Sequence, residues 1–316
     1  MKAKILYVCP HGQTEARTFA ETLVSALPEF EIKISDAGFT TLFFELKKYD
    51  LAHFFTKVSK KSIPSVQTLL NAAEAQNASA DVVVTFCDAD HELIPKGTRV
   101  ETILPCATES AQLAAEAPSE IRQKYGVEDR LLVVALSDFS DHNHFSAFLY
   151  AAREYQRRDG FRFLLPLYNQ DKETLTWRDS LKKIVEQERL TLTSFVEPSA
   201  DYASLVDSAD FCIHVSKTRK SRFEFPLNVA EAFCAGKPVI CFNTLPLNEF
   251  VAGFNKDWIA HTNEDYSRIS RDIAKQSLQL EQISTELARY ARQRLSVEAV
   301  SAKYREVYNS LLRTKL

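Results

Sequence analysis

The sequence predicts an α/β fold built on parallel sheets, and three observations carry that prediction. Short apolar, strand-like runs recur along the chain, at 4–9, 81–86, 132–136 and 211–215. Helix-like segments lie between them, with apolar residues returning every three or four positions. The stretch from Asp210 to Phe242 then shows strand, loop, helix and strand in succession, a βαβ unit. In it Gly236 stops the helix and Pro238 opens the second strand. With 316 residues the chain is long enough for two domains of ordinary size.

In order, residues 4–9 form the first strand and 10–13 a turn. Thr14 is placed to cap a helix over 15–27. Strands follow at 30–34 and 50–55, with a short helix at 42–48. A helix is expected at 65–75, then strands at 81–86 and 100–104. His11, in the first turn, reads either as a ligand group or as a turn residue. His53, inside a strand, reads as structural. Asp88, Asp90, His91 and Glu92 have metal-ligand chemistry, but the rim of a parallel sheet carries the same residue types, and no metal is expected.

The second half alternates regularly. A polar, Ala-rich linker or helix at 108–117 precedes a strand at 132–136, a helix at 145–157, a strand at 161–166 and a helix at 176–187. A strand at 190–195, a helix at 202–208, a strand at 211–215, a helix at 227–235 and a strand at 239–242 follow. Beyond Glu249 the order is less regular, with helices at 266–274, 278–294 and 297–312. Val300, Tyr304, Val307 and Tyr308 make an apolar stripe on the last of these, which reads as core packing.

Charges balance to a formal net charge of −3, which argues against a protein that coats nucleic acid. The six cysteines form no CxxC pair, and several sit in apolar runs, as buried free thiols do. A reducing, cytoplasmic setting is expected. No signal peptide and no membrane-spanning run is visible.

The chemistry concentrates between Asp210 and Glu249. Lys217, Arg219, Lys220 and Arg222 precede a helix flanked by Glu224 and Glu231. Cations and helix N-terminal N–H groups hold phosphate, and carboxylates hold sugar or ribose hydroxyls. A phosphorylated ligand such as a nucleotide-sugar fits this pattern. A solvated charged loop before an ordinary amphipathic helix has the same composition, and that reading stays open here.

The run SRFEFPLNVAEAFCAGKPVI, from Ser221 to Ile240, resembles the donor-binding region of retaining, nucleotide-sugar-dependent glycosyltransferases of the group 1, family 4-like class. The resemblance implies a GT-B fold, two Rossmann-like domains facing across a cleft, here with the first domain reduced. It implies an acceptor-side domain at 1–107, a nucleotide-sugar domain at 108–290, and a C-terminal helix at 291–316 packing back on the first domain. It implies that Glu231 binds the donor ribose, that Glu224 lies near the transferred sugar, and that Ser137, Leu227 and Glu249 line the donor site. Arg219, Lys220 and Arg222 stand in for cations that the family carries after the strand at 132–136. There the chain has Asp138 in place of Arg and His142 in place of Lys. Glu224, Arg222 and His142 are therefore the catalytic candidates.

The implied reaction is transfer of a sugar from a nucleotide-sugar donor to a glycan or other acceptor, with no metal and no further cofactor. The short first domain implies a small acceptor or a partner protein that completes it. The alternative is a catalytically degenerate relative that binds a nucleotide-sugar, a glycan or a protein.

Overall fold

A computed structural model describes residues 2–36, 46–58, 62–108, 117–127, 130–136, 142–157, 160–166, 172–196, 202–215 and 223–314. The strands are β1 (Lys4–Val8), β2 (Glu31–Ser35), β3 (Leu51–Phe54), β4 (Ser65–Thr68), β5 (Val82–Thr85), β6 (Arg99–Thr102), β7 (Leu131–Ala135), β8 (Phe161–Pro166), β9 (Thr193–Val196), β10 (Phe211–His214), β11 (Val239–Phe242) and β12 (Ile259–Ala260). The α-helices are α1 (Thr14–Ala26), α2 (Pro118–Lys124), α3 (His142–Gln156), α4 (Lys172–Gln187), α5 (Tyr202–Ser208), α6 (Leu227–Cys234), α7 (Leu247–Asn255), α8 (Asn263–Lys275), α9 (Leu280–Leu295) and α10 (Val297–Arg313). Internal contacts divide the chain into two units. One holds Met1–Thr108, Arg219–Ala230 and Arg292–Leu316, and the other Glu109–Thr218 and Glu231–Ala291.

In the first unit six parallel strands run in the order β2-β1-β3-β4-β5-β6. β3, β4 and β5 are buried along their whole length, because both faces are covered. The crossovers after β4 and β5 carry 3-10 turns, Ala72–Asn77 and Asp88–Leu93. The helix expected at 65–75 is therefore β4 followed by a 3-10 turn. Val66, Leu69, Leu70 and Ala73 do return at helical spacing, but the strand's polar residues find partners distant in sequence. Asp81 Oδ2 accepts from the N–H and the hydroxyl of Ser65 at 2.8 and 2.9 Å, and Gln67 Oε1 accepts from Ser79 N at 3.3 Å. Such tertiary partners override local propensity. Of the expected helix 42–48, residues 42–45 lie outside the described residues. Gln13, not Thr14, takes the N-cap position of α1, and it makes no side-chain cap.

α10 groups with this unit and buries Val300, Tyr304, Val307 and Tyr308, the stripe read from the sequence. Burying a large apolar side chain contributes roughly 1.5–3 kcal/mol. Ser296 caps the helix, accepting from Ala299 N at 3.1 Å.

In the second unit the order is β12-β11-β10-β7-β8-β9, again all parallel. The chain runs from β7 outward to β9, then resumes at β10 on the other side of β7. That reversal places β7 and β10 side by side, the position at which open α/β sheets form a crevice. α7 is an element that the sequence reading left irregular. Leu247, Phe250 and Val251 bury its inner face. No helix among the described residues is long and apolar enough to cross a membrane.

Candidate functional site

The switch point of the second sheet is set by two central strands. β7 and β10 pair in parallel from Phe211 against Val133 to Ile213 against Ala135, and Leu136 N donates to Ile213 O at 2.9 Å. At their opposite ends Asp210 holds the pair together. Its Oδ2 accepts from Leu132 N at 2.6 Å and from Arg122 Nη1 at 3.0 Å. Tyr266 of α8 donates to His214 O at 2.9 Å and anchors the end of β10. The two loops that leave these strands contain Ser137, Arg219, Lys220 and Arg222. Those four residues lie outside the described residues, so the strands settle where their loops start. His142 is the first residue of α3, whose first turn carries no acidic side chain. The helix begins after β7 and presents the partial positive end of its dipole there.

Glu231 lies on α6, which the chain terminates by a specific hydrogen-bond pattern. Gly236 N donates to Phe233 O and Lys237 N to Ala232 O, both at 2.9 Å, with Gly236 at φ +77°. This is a Schellman ending, which needs a left-handed residue at that position. A Cβ on Gly236 would also meet Ser284 O at 2.5 Å, and Ser284 Oγ donates to Gly236 O at 2.7 Å. The glycine therefore lets α9 close on the end of α6. Glu231 itself is 7 % exposed.

Glu224 is also 7 % exposed. It falls within the expected span 108–290, yet residues 219–230 group with the first unit by contact. Its N–H donates to Leu70 O at 2.9 Å, and its Oε1 accepts from Ala72 N at 3.1 Å. Beside it Phe223 packs on Phe86 and edge-on against Phe19, with centroids 5.3 and 6.1 Å away. Leu227 is buried at the start of α6, and Glu249 is exposed in the first turn of α7. Carboxylates are rarely this buried without a partner or a purpose. The burial of Glu224 and Glu231 therefore disfavours the solvated-loop reading for these two groups.

One acidic residue escaped the sequence reading. Glu74 Oε2 accepts from Leu70 N at 3.3 Å, beside Glu224. Burial raises its proton affinity above the ordinary carboxylate value. The Leu70 N–H opposes that rise, and the charge of Glu224 adds to it. With 65–75 taken as a helix, nothing in the sequence separated Glu74 from a surface glutamate.

His53 is fully buried, as a structural histidine is, and His11 is exposed. His91 Nε2 lies 2.8 Å from Thr102 Oγ1, and Asp90 is buried. Among the described residues no group of three or more His, Cys, Asp or Glu is arranged to hold a metal ion.

Comparison with known proteins follows the same geometry. The profile of the family described as Glycosyl transferases group 1 matches residues 119–294. Among solved structures the chain is similar to Anabaena Alr3699/HepE in complex with UDP, with TM-score 0.78 at 15 % identity, covering 98 % of this chain and 100 % of that one. It is similar to sucrose-phosphate synthase (tll1590) from Thermosynechococcus elongatus, with TM-score 0.76 at 14 % identity, covering 99 % and 100 %. A glycosyltransferase from Rickettsia africae matches with TM-score 0.75 at 13 % identity, covering 98 % and 99 %. At these identities the likeness is one of fold: two parallel sheets, each flanked by helices. No curated protein matches the chain by sequence.

Proposed function

This chain belongs to the group 1 glycosyl transferases, and on that premise we propose that it transfers a sugar from a uridine diphosphate sugar to an acceptor hydroxyl with retention at the anomeric carbon. Transfer of a sugar from a nucleotide-sugar donor on a GT-B scaffold is the reaction of the family. The observation that carries the reading is the family match itself, which spans β7, β10, α6 and β11 and so contains both candidate glutamates. The choice of uridine draws on the similar Anabaena structures, in complex with UDP and with UDP-glucose.

In this proposal Glu231 accepts hydrogen bonds from the ribose hydroxyls. Hydrogen bonds to a charged group contribute about 1.5–3 kcal/mol. Arg219, Lys220 and Arg222, with the N-terminal N–H groups near Ser137 and Leu227, neutralise the diphosphate as it leaves. Glu224 orients the sugar and faces the positive charge that develops on it. His142 lends a further positive charge when protonated, and Glu249 lines the donor loop. The acceptor is a glycan or another hydroxyl compound, met by the first unit alone or with a partner protein.

Asp138 favours a second reading, binding without turnover, because a carboxylate beside a diphosphate repels it. Calorimetry with UDP, GDP and UDP-glucose, followed by an assay for UDP release with and without acceptor sugars, tests both. UDP binding with donor turnover is expected. Binding without turnover of any sugar nucleotide selects the second reading, and absence of nucleotide binding refutes both.

A further inference from the structure

The turn that follows β4 carries a side chain for which the donor site has no use so far. Glu74 Oε2 accepts from Leu70 N at 3.3 Å, and Glu74 N donates to Asn71 O at 3.2 Å. Leu70 also presents its carbonyl to Glu224 N at 2.9 Å. Two residues on, Ala72 N donates to Glu224 Oε1 at 3.1 Å. The turn from 70 to 74 therefore grips Glu224 twice, by its backbone and by its carboxylate, and Glu74 closes that turn. Leu70 is fully buried and Glu224 nearly so, which leaves little room for another arrangement.

We propose that Glu74 is a positioning residue for Glu224: it fixes the Leu70–Glu74 turn that aims the Glu224 carboxylate at the transferred sugar. The proposal rests on the assignment of Glu224 to the sugar site. Its physical basis is that Leu70 offers both peptide groups to the pair. Loss of the Glu74 acceptor frees the Leu70 N–H, and the turn keeps only the backbone bond from Glu74 N to Asn71 O. A misplacement of the order of 1 Å at a reacting group costs roughly 100-fold in rate. Two neighbouring carboxylates also resist joint ionisation and titrate as a pair. Burial and the Glu224 charge both raise the proton affinity of Glu74. Glu74 is thus the member that keeps a proton to higher pH than an ordinary carboxylate.

The test uses the full chain, with UDP affinity from calorimetry, UDP-glucose turnover from UDP release, and ¹³C carboxyl titration of glutamate-labelled protein. Glu74→Ala is expected to lower kcat roughly 10- to 100-fold and leave the Kd for UDP unchanged. Glu74→Gln, which keeps an acceptor for Leu70 N, is expected to retain turnover and to lack a glutamate signal that wild type titrates above the ordinary carboxylate range. Adding Glu74→Ala to Glu224→Gln is expected to cost nothing further. If Glu224→Gln leaves turnover intact, the sugar-site reading itself falls. If Glu224→Gln removes turnover but Glu74→Ala matches wild type, or Glu74→Gln loses as much turnover as Glu74→Ala, only the role of Glu74 is overturned.

Discussion

Acidification from pH 7 to pH 5 is expected to weaken the first unit through His53. The ring is fully buried, with Nδ1 2.6 Å from the Tyr308 hydroxyl and Nε2 2.7 Å from Thr68 Oγ1. The Tyr308 hydroxyl continues to Tyr7 at 2.7 Å, and Thr68 Oγ1 to Tyr304 at 2.9 Å. A neutral imidazole, with one donor and one acceptor, fits this chain of hydroxyls. An imidazolium would place a charge there with no carboxylate among these partners. Burial accordingly depresses the pKa of His53 from 6.5 to about 3. A histidine whose folded value lies below its unfolded value contributes stability that is present above pH 6.5 and is lost as pH falls towards 3. At about 1.4 kcal/mol per unit, the loss is about 2 kcal/mol at pH 5 and about 5 kcal/mol by pH 3. Glu74, with its raised proton affinity, acts in the opposite direction: its contribution is present at low pH and lost as pH rises through its folded value. A Glu74→Gln background removes it. Both tryptophans, Trp177 and Trp258, lie in the second unit, so their fluorescence does not read this event. Amide hydrogen exchange of β3 and α10, corrected for intrinsic rates, reads it directly. Their opening free energies are expected to fall by about 2 kcal/mol between pH 7 and pH 5 in the His53 protein. His53→Gln, whose amide supplies a donor and an acceptor, is expected to show a drop smaller by that amount. Equal pH slopes in the two proteins would refute the reasoning.

Other expectations are read more simply. Glu231→Ala is expected to weaken UDP binding roughly 10- to 100-fold, the equivalent of about 1.5–3 kcal/mol, and an unchanged affinity in calorimetry would remove Glu231 from the ribose site. Charge reversal of Arg219 and Lys220 together is expected to weaken UDP more than uridine, and an equal effect on both ligands would leave the diphosphate without its cations. Gly236→Ala combines a φ of +77° with a Cβ 2.5 Å from Ser284 O, and a destabilisation of at least about 1–2 kcal/mol is expected. Fluorescence of buried Trp258 during urea unfolding reads that change in the second unit.

The sequence by itself determined what repeats locally. Apolar runs such as Val82–Thr85 and Phe211–His214 lie buried on both faces, and that pattern needs no distant partner to be recognised. The α/β class, the βαβ unit around Glu231, the ending of α6 at Gly236 and the stripe on α10 were all legible for that reason. The tertiary structure alone decided that 65–68 is a strand, because Asp81, Ser79 and His53 bond to Ser65, Gln67 and Thr68 from elsewhere in the chain. It decided that residues 219–230 keep company with the first unit, through Phe223 on Phe19 and Phe86 and Glu224 on the turn after β4. It also brought Glu74 beside Glu224 across a separation of 150 residues. Periodicity reports which face of an element is apolar, but a buried carboxylate's neighbours come from wherever the chain returns, and no local pattern encodes that.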